Sequence, residues 1–189
     1  MKRELIGRKW HAYDLLKFLQ DRGFSLDYPI DVDEVARFLG IKIKEDLDIE
    51  HIGDIGYIKI ENGEPIIWVN PFLNQNPYRR RFTIAHELGH FCLHIAPEGK
   101  DKSFIDTEDS LKRSNLWDIK EYQANSFAAD LLMPAILIKQ VGEKLSNDYK
   151  EKYGKYMTVE EFVDSMSKIF KVSKQAMRYR LINLGIINE

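Results

Sequence analysis

The run His86-Glu87-Leu88-Gly89-His90 sets two imidazoles four residues apart. On an α-helix that spacing turns them by about 40° and separates them by about 6 Å along the axis, so both rings can reach one metal ion. Glu87 is rotated by roughly 100° from His86, which lets it flank the ion without ligating it and hold a water there. Residue types and spacing together predict the site of a zinc hydrolase.

A catalytic zinc ion takes three protein ligands and leaves a position open for water. Glu121 is the candidate third ligand. It opens the segment EYQANSFAADLLMP, in which Asn125 follows four residues later on the same helical face. Phe127, Leu131 and Leu132 of that segment can pack inward, and Ala124, Ala128 and Ala129 permit close approach of a neighbouring helix. Asn125 is expected to hydrogen-bond the second ring nitrogen of a ligating histidine and so fix its tautomer. Asp118, Glu98, Asp106, Glu108 and Asp109 compete with Glu121, from a loop or a helix edge. His94 continues the four-residue spacing but is displaced a further ~6 Å along the axis, which suits a structural role better than ligation. Cys92 points about 160° away from His90 and reads as a small buried apolar residue. His11 and His51 have no identifiable partners, and Tyr122 is only a weak candidate for an oxyanion donor.

These side chains must be positioned by ordinary elements. Residues 10–22 carry apolar residues at helical spacing, stopped by Gly23. Asp31 with Glu34, followed by Gly40, marks the start and end of a second helix. The segments 55–60 and 65–69 flank Asn62-Gly63 and predict a β-hairpin. Asn76-Pro77 opens the helix that carries the histidines and runs to about Ile95. Residues 97–117 are polar and aperiodic, a lid or binding loop or an ordinary solvated insertion. Helices are expected again over 118–133, 135–153 and 158–184.

Composition excludes several classes. With 44% hydrophobic residues and a net charge of only −2, the chain is not of the disordered type, and it lacks the global positive charge of a nucleic-acid wrapper. The single cysteine makes no internal disulfide, the first residues contain no secretory apolar core, and the longest apolar run, 131–138, is too short to span a bilayer. A cytoplasmic protein is expected.

RFTIAHELGHFCLH (81–94) followed by EYQANSFAADLLMP (121–134) resembles the ImmA/IrrE metallopeptidase family, a gluzincin-like group. DVDEVARFLGIKI, the hairpin and the asparagine of WVN also resemble its pattern, so the match covers roughly 29–139. The resemblance implies His86, His90 and Glu121 as zinc ligands and Glu87 as general base, in a zincin-like α+β fold whose small antiparallel sheet packs on the active-site helix. It further implies a zinc-dependent endopeptidase acting on a bacterial or phage-type transcriptional repressor. The expected organisation is an N-terminal helical segment (1–28), a metallopeptidase core (29–139) and a C-terminal helical segment (140–189).

Two charged features stay open. Arg79-Arg80-Arg81 sits in the first turn of the histidine helix, where cations oppose the helix dipole; it could engage an acidic partner or form a salt-bridged cluster. The C-terminal segment resembles a helix-turn-helix, and 165–188 contains Lys168, Lys171, Lys174, Arg178 and Arg180 without an acid. Met177, Leu181, Ile182 and Leu184 favour packing or partner docking over DNA binding there. The alternative function is accordingly a regulatory module that binds protein or DNA, with a structural or degenerate zinc site.

Overall fold

The computed structural model describes residues 5–98, 103–107 and 115–188; for 103–107 and 115–118 the description is of the backbone alone. Helix α1 (Ala12–Gln20) turns Leu15, Leu16, Phe18 and Leu19 inward. Helix α2 (Val32–Leu39) is fixed at both ends: the Asp31 carboxylate accepts from the Glu34 amide, and Gly40 closes it in the left-handed region.

A four-stranded sheet follows, from β1 (Lys42–Lys44), β2 (Asp54–Glu61), β3 (Glu64–Val69) and β4 (Ser103–Thr107), in the order β1-β3-β2-β4. Asn62 and Gly63 both have positive φ, which matches the right-handed twist of the β2–β3 hairpin. Strand β1 runs parallel to β3 while β2 is antiparallel to both β3 and β4, so the sheet is mixed rather than wholly antiparallel. Strand β4 lies in the stretch expected to be a loop: SFIDT is too short to announce itself by periodicity, and its pairing is supplied by β2. Residues 99–102 and 108–114 of the expected lid lie outside the described residues.

One face of the sheet is covered by the polar segment 45–53, with Trp68 Nε1 donating to the Asp46 carbonyl at 3.0 Å and the Tyr57 hydroxyl donating to Asp48 at 3.2 Å. Tyr57 and Trp68 stack beneath it with ring centroids 5.2 Å apart. The other face receives helix α3 (Pro77–His90), which Asn76 caps by accepting from the amides of Tyr78 and Arg79. Every residue from Thr83 to His90 is buried. That half of α3 is enclosed by the sheet, by α2 and by helix α4 (Asn115–Leu132). A helix buried all round yet containing two histidines and a glutamate carries a large desolvation cost, which only a specific function or partner offsets.

After His90 the helix widens into a π-helical turn, Phe91–Ile95, in which the Ala96 amide donates to Phe91 O at 2.8 Å. The turn is held from outside by the N-terminal segment: the Gly7 amide donates to Ala96 O and the Trp10 amide to Cys92 O. Helices α5 (Ala135–Tyr153), α6 (Val159–Phe170) and α7 (Lys174–Asn183) complete the chain, and one apolar cluster runs from Leu5 and Trp10 through Ile84 and Phe91 to Met177 and Leu181. Among the described residues no helix is long and apolar enough to cross a membrane.

Candidate metal centre

Close packing of α3 on α4 assembles the site. A β-carbon at Gly89 would meet Ala124 Cα, Ala124 O and Phe127 Cβ, each at 3.1 Å, so any larger residue would require α4 to yield by a few tenths of an ångström. Ala124 and Ala128 are fully buried on the α4 side of the contact.

The approach brings Glu121 to the two histidines. Glu121 Oε2 lies 3.1 Å from His86 Nε2 and Glu121 Oε1 lies 3.1 Å from His90 Nε2, while the two Nε2 atoms are 2.9 Å apart. His86 is 5% exposed and His90 1%, and the Glu121 side chain is 12% exposed. His86 Nδ1 and Asn125 Oδ1 are 3.0 Å apart. An amide oxygen only accepts, so His86 carries its proton on Nδ1 and turns the lone pair of Nε2 toward His90 and the Glu121 carboxylate. Burial pushes the His90 imidazole down to about 4. Burial also opposes ionisation of Glu121, but its contacts with His86 and His90 outweigh this and hold the carboxyl at about 2. At neutral pH His90 is therefore neutral and Glu121 a carboxylate, and with His86 they bring two imidazole nitrogens and a carboxylate to one point. This donor set fits a divalent cation, in the protonation state that metal binding demands. Among the described residues it is the one His/Cys/Asp/Glu cluster with that convergence.

Glu87 is 1% exposed and lies between α3 and β2. Its room comes from Gly56, whose added β-carbon would stand 3.3 Å from Glu87 Oε1, 3.1 Å from Trp68 O and 2.7 Å from Thr83 Cγ2. Thr83, one turn before Glu87, is itself held, since its hydroxyl donates to Asn74 Oδ1 at 2.7 Å. Asn74 Nδ2 donates to the carbonyls of Ile55 and Asn70, and Asn70 Nδ2 to those of Ile52 and Asp54. These two buried asparagines tie the start of β2 to α3. Sequence reasoning noticed Asn70 only by resemblance and missed Gly56, Asn74 and Thr83, whose roles exist only once β2 and α3 touch.

The remaining candidates lie elsewhere or are not described. Glu98 is exposed, Asp106 occupies the β4 register position opposite Gly56, and Asp118 precedes Glu121 by about one turn of α4. Glu108 and Asp109 lie outside the described residues. Tyr122 is 72% exposed. His51 does have a partner, Asp54, at 2.7 Å. Cys92 is buried, and burial pushes its thiol up. His94 is buried, with Nδ1 3.1 Å from His90 Nδ1 and Nε2 3.0 Å from Gln123 Oε1.

Members of both charged features are internally paired. Arg80 bridges Asp33 and Glu45, which holds the Asp33 carboxyl below its ordinary range. Lys168 and Lys174 pair with Asp164, Arg178 with Glu160, and Arg180 with Asp130 and the Met133 carbonyl. Asp164 and Glu160 lie just before the acid-free stretch, and Asp130 comes from α4.

Two helices clasping a His-His-Glu donor set, with a glutamate buried beside the first histidine and a small sheet behind, define a metallopeptidase-like α+β class. Residues 39–182 match the family model Peptidase M78, described as the IrrE N-terminal-like domain, and the chain belongs to that ImmA/IrrE family. The Metallopeptidase ImmA of Bacillus subtilis (strain 168) is 28% identical over 116 residues, an overlap of 60% of this chain and 64% of that protein. The chain thus spans slightly less than two thirds of that relative's length.

Proposed function

We propose that this chain is a zinc-dependent endopeptidase of the HEXXH type that acts in the cytoplasm on a transcriptional repressor. The observation that carries this reading is the meeting of His86 Nε2, His90 Nε2 and the Glu121 carboxylate within hydrogen-bond distance of one another, with Glu87 buried at the position next to His86 in the same helix. His86, His90 and Glu121 would hold the ion, and a set of two imidazoles and one carboxylate suits zinc and leaves a position open. When bound, zinc would supply Lewis acidity toward the scissile carbonyl and toward water. Glu87 accepts the proton from the attacking water and delivers it to the leaving amine. The enclosure that buries Glu87 by α3, β2 and β3 keeps bulk water from competing for that proton. Asn125 holds His86 in the tautomer that ligates.

The repressor substrate rests on family likeness alone; for peptide hydrolysis, the likeness is joined by the named residues. The DNA-binding alternative is weakened by the pairing of Lys168, Lys174, Arg178 and Arg180 with acids of the same chain. The test is incubation of the zinc-loaded protein with candidate transcriptional repressors from the same organism, comparing wild type with Glu87→Gln. The expected result is a discrete cleavage in wild type, slowed by about 100-fold or more in the variant, with zinc content equal in both. Equal cleavage by both proteins would remove the general-base role.

A further inference from the structure

His94 has no part in the ligand set just proposed, yet it is 6% exposed and aligned with it. His90 uses its two ring nitrogens in opposite directions. Nε2 faces His86 and Glu121, while Nδ1 lies 3.1 Å from His94 Nδ1, so His94 stands behind His90 and away from the donor set. Beyond it, His94 Nε2 meets Gln123 Oε1 at 3.0 Å. A regular helix would carry the residue at this spacing a further ~6 Å along its axis. Here the π-helical turn begins immediately after His90 and includes His94, and its ring lies tilted by 51° against that of His90, centroids 5.2 Å apart.

The hydrogen-bond directions along this line are determined from the far end. An amide oxygen only accepts, so Gln123 Oε1 requires the proton of His94 on Nε2. His94 Nδ1 is then an acceptor, and the contact between the two Nδ1 atoms requires the proton of His90 on Nδ1. That leaves the lone pair of His90 on Nε2, aimed at the donor set. Asn125 performs the same task for His86 directly; for His90 it takes two residues in series, one from the π turn and one from α4.

We propose that His94, oriented by Gln123, is a positioning residue that fixes His90 in its metal-ligating tautomer. The inference rests on the metal-centre reading above. A positioning partner of this kind typically changes metal affinity by 10- to 100-fold.

The experiment measures zinc affinity by competition with a chromophoric chelator for wild type, His94→Phe, His94→Asn, Gln123→Met and His86→Ala. Proton-nitrogen NMR of the wild-type and Gln123→Met imidazole rings accompanies it, without metal. Phenylalanine keeps the ring but removes the acceptor; asparagine keeps an acceptor near the position of Nδ1. The expected result is a 10- to 100-fold loss of affinity in His94→Phe, a loss of only a few-fold in His94→Asn, and a wild-type His90 protonated on Nδ1. Gln123→Met is expected to show mixed His90 tautomers.

Wild-type affinity in His94→Phe, alongside lost binding in His86→Ala, would overturn the proposal while leaving the metal centre intact. Zinc retained by His86→Ala would overturn the metal centre and the proposal with it. Should His94→Phe not fold, the NMR spectra decide: a wild-type His90 protonated on Nε2, or tautomers unchanged in Gln123→Met, refutes the relay.

Discussion

A β-carbon placed on Gly56 would stand 3.3 Å from Glu87 Oε1, so the carboxylate assigned as general base occupies space that strand β2 leaves by having no side chain there. The same β-carbon would meet Thr83 Cγ2 at 2.7 Å, a distance that forces something to move. Thr83 cannot turn away freely because its hydroxyl is bonded to Asn74. Gly56→Ala is therefore expected to cost about 1–3 kcal/mol of stability and, by displacing Glu87, to slow cleavage by about 100-fold with zinc content unchanged. Thr83→Ser in that background deletes the clashing methyl and should recover much of the stability, whereas the cleavage loss persists because the contact with Glu87 Oε1 remains. Unaltered turnover in Gly56→Ala would show that Glu87 does not depend on this space.

Gly89 governs the other contact of α3. Its β-carbon would press on the backbone of Ala124 at 3.1 Å, and backbone yields less readily than a side-chain tip. Gly89→Ala should push α4 outward, lower stability by about 1–3 kcal/mol and weaken zinc binding measurably, because Glu121 departs with the helix. Isothermal titration with zinc, together with chemical denaturation, reads both. Normal zinc affinity in this variant would separate helix spacing from ligation.

Acid is expected to destabilise the metal-free protein in two windows. Burial lowers His90 to about 4 and also lowers His94, whereas in the unfolded chain both titrate near 6.5. As pH falls below 6.5 the unfolded state takes up protons that the folded state refuses, so stability declines from there toward about 4. The slope approaches about 1.4 kcal/mol per pH unit from His90, and His94 acts in the same direction. Glu121 acts lower down: its depressed folded pKa contributes stability above 4.5 that is lost as pH falls toward about 2. Denaturation in the presence of a chelator across pH 7 to 3 checks this, and a flat profile between pH 6.5 and 4.5 would contradict the upper window.

The C-terminal helices should not bind DNA. Each of Lys168, Lys174, Arg178 and Arg180 already faces an acid of the same chain, and Met177 and Leu181 are buried. Gel-shift titration with duplex DNA at physiological salt is expected to give no complex. A salt-sensitive complex lost in Lys174→Ala/Arg178→Ala would reinstate the helix-turn-helix reading.

Local signals predicted local structure well. Asp31 and Gly40 at the ends of α2, Asn62-Gly63 in the hairpin and Asn76-Pro77 at the start of α3 each act through a few neighbouring residues, and all stand where their chemistry predicts. The motif spacing likewise placed His86 and His90 on one helix, and Ala124 and Ala128 on a face suited to close packing. Beyond the meeting of Glu121 and Asn125 with the histidines, contacts across elements were not legible. Gly56 looks like any strand glycine until α3 lies against it. His94 was read on regular helical geometry, which the π turn abandons. The ion pairs of Lys174 and Arg180 join α7 to acids on α6 and α4, so an acid-free stretch of sequence became a neutralised surface.

The N-terminal hydrogen bonds onto the π turn give residues 5–10 a share in events at the metal centre. Gly7 and Trp10 donate their amides to carbonyls of Ala96 and Cys92, either side of His94. Deuterium cannot replace those two amide protons unless that segment lifts away, and a bound ion that tightens His90 opposes the lifting through the same turn. Isotope uptake at Gly7 and Trp10 should therefore slow when the centre is loaded, which makes two amides at the start of the chain remote reporters of its occupancy.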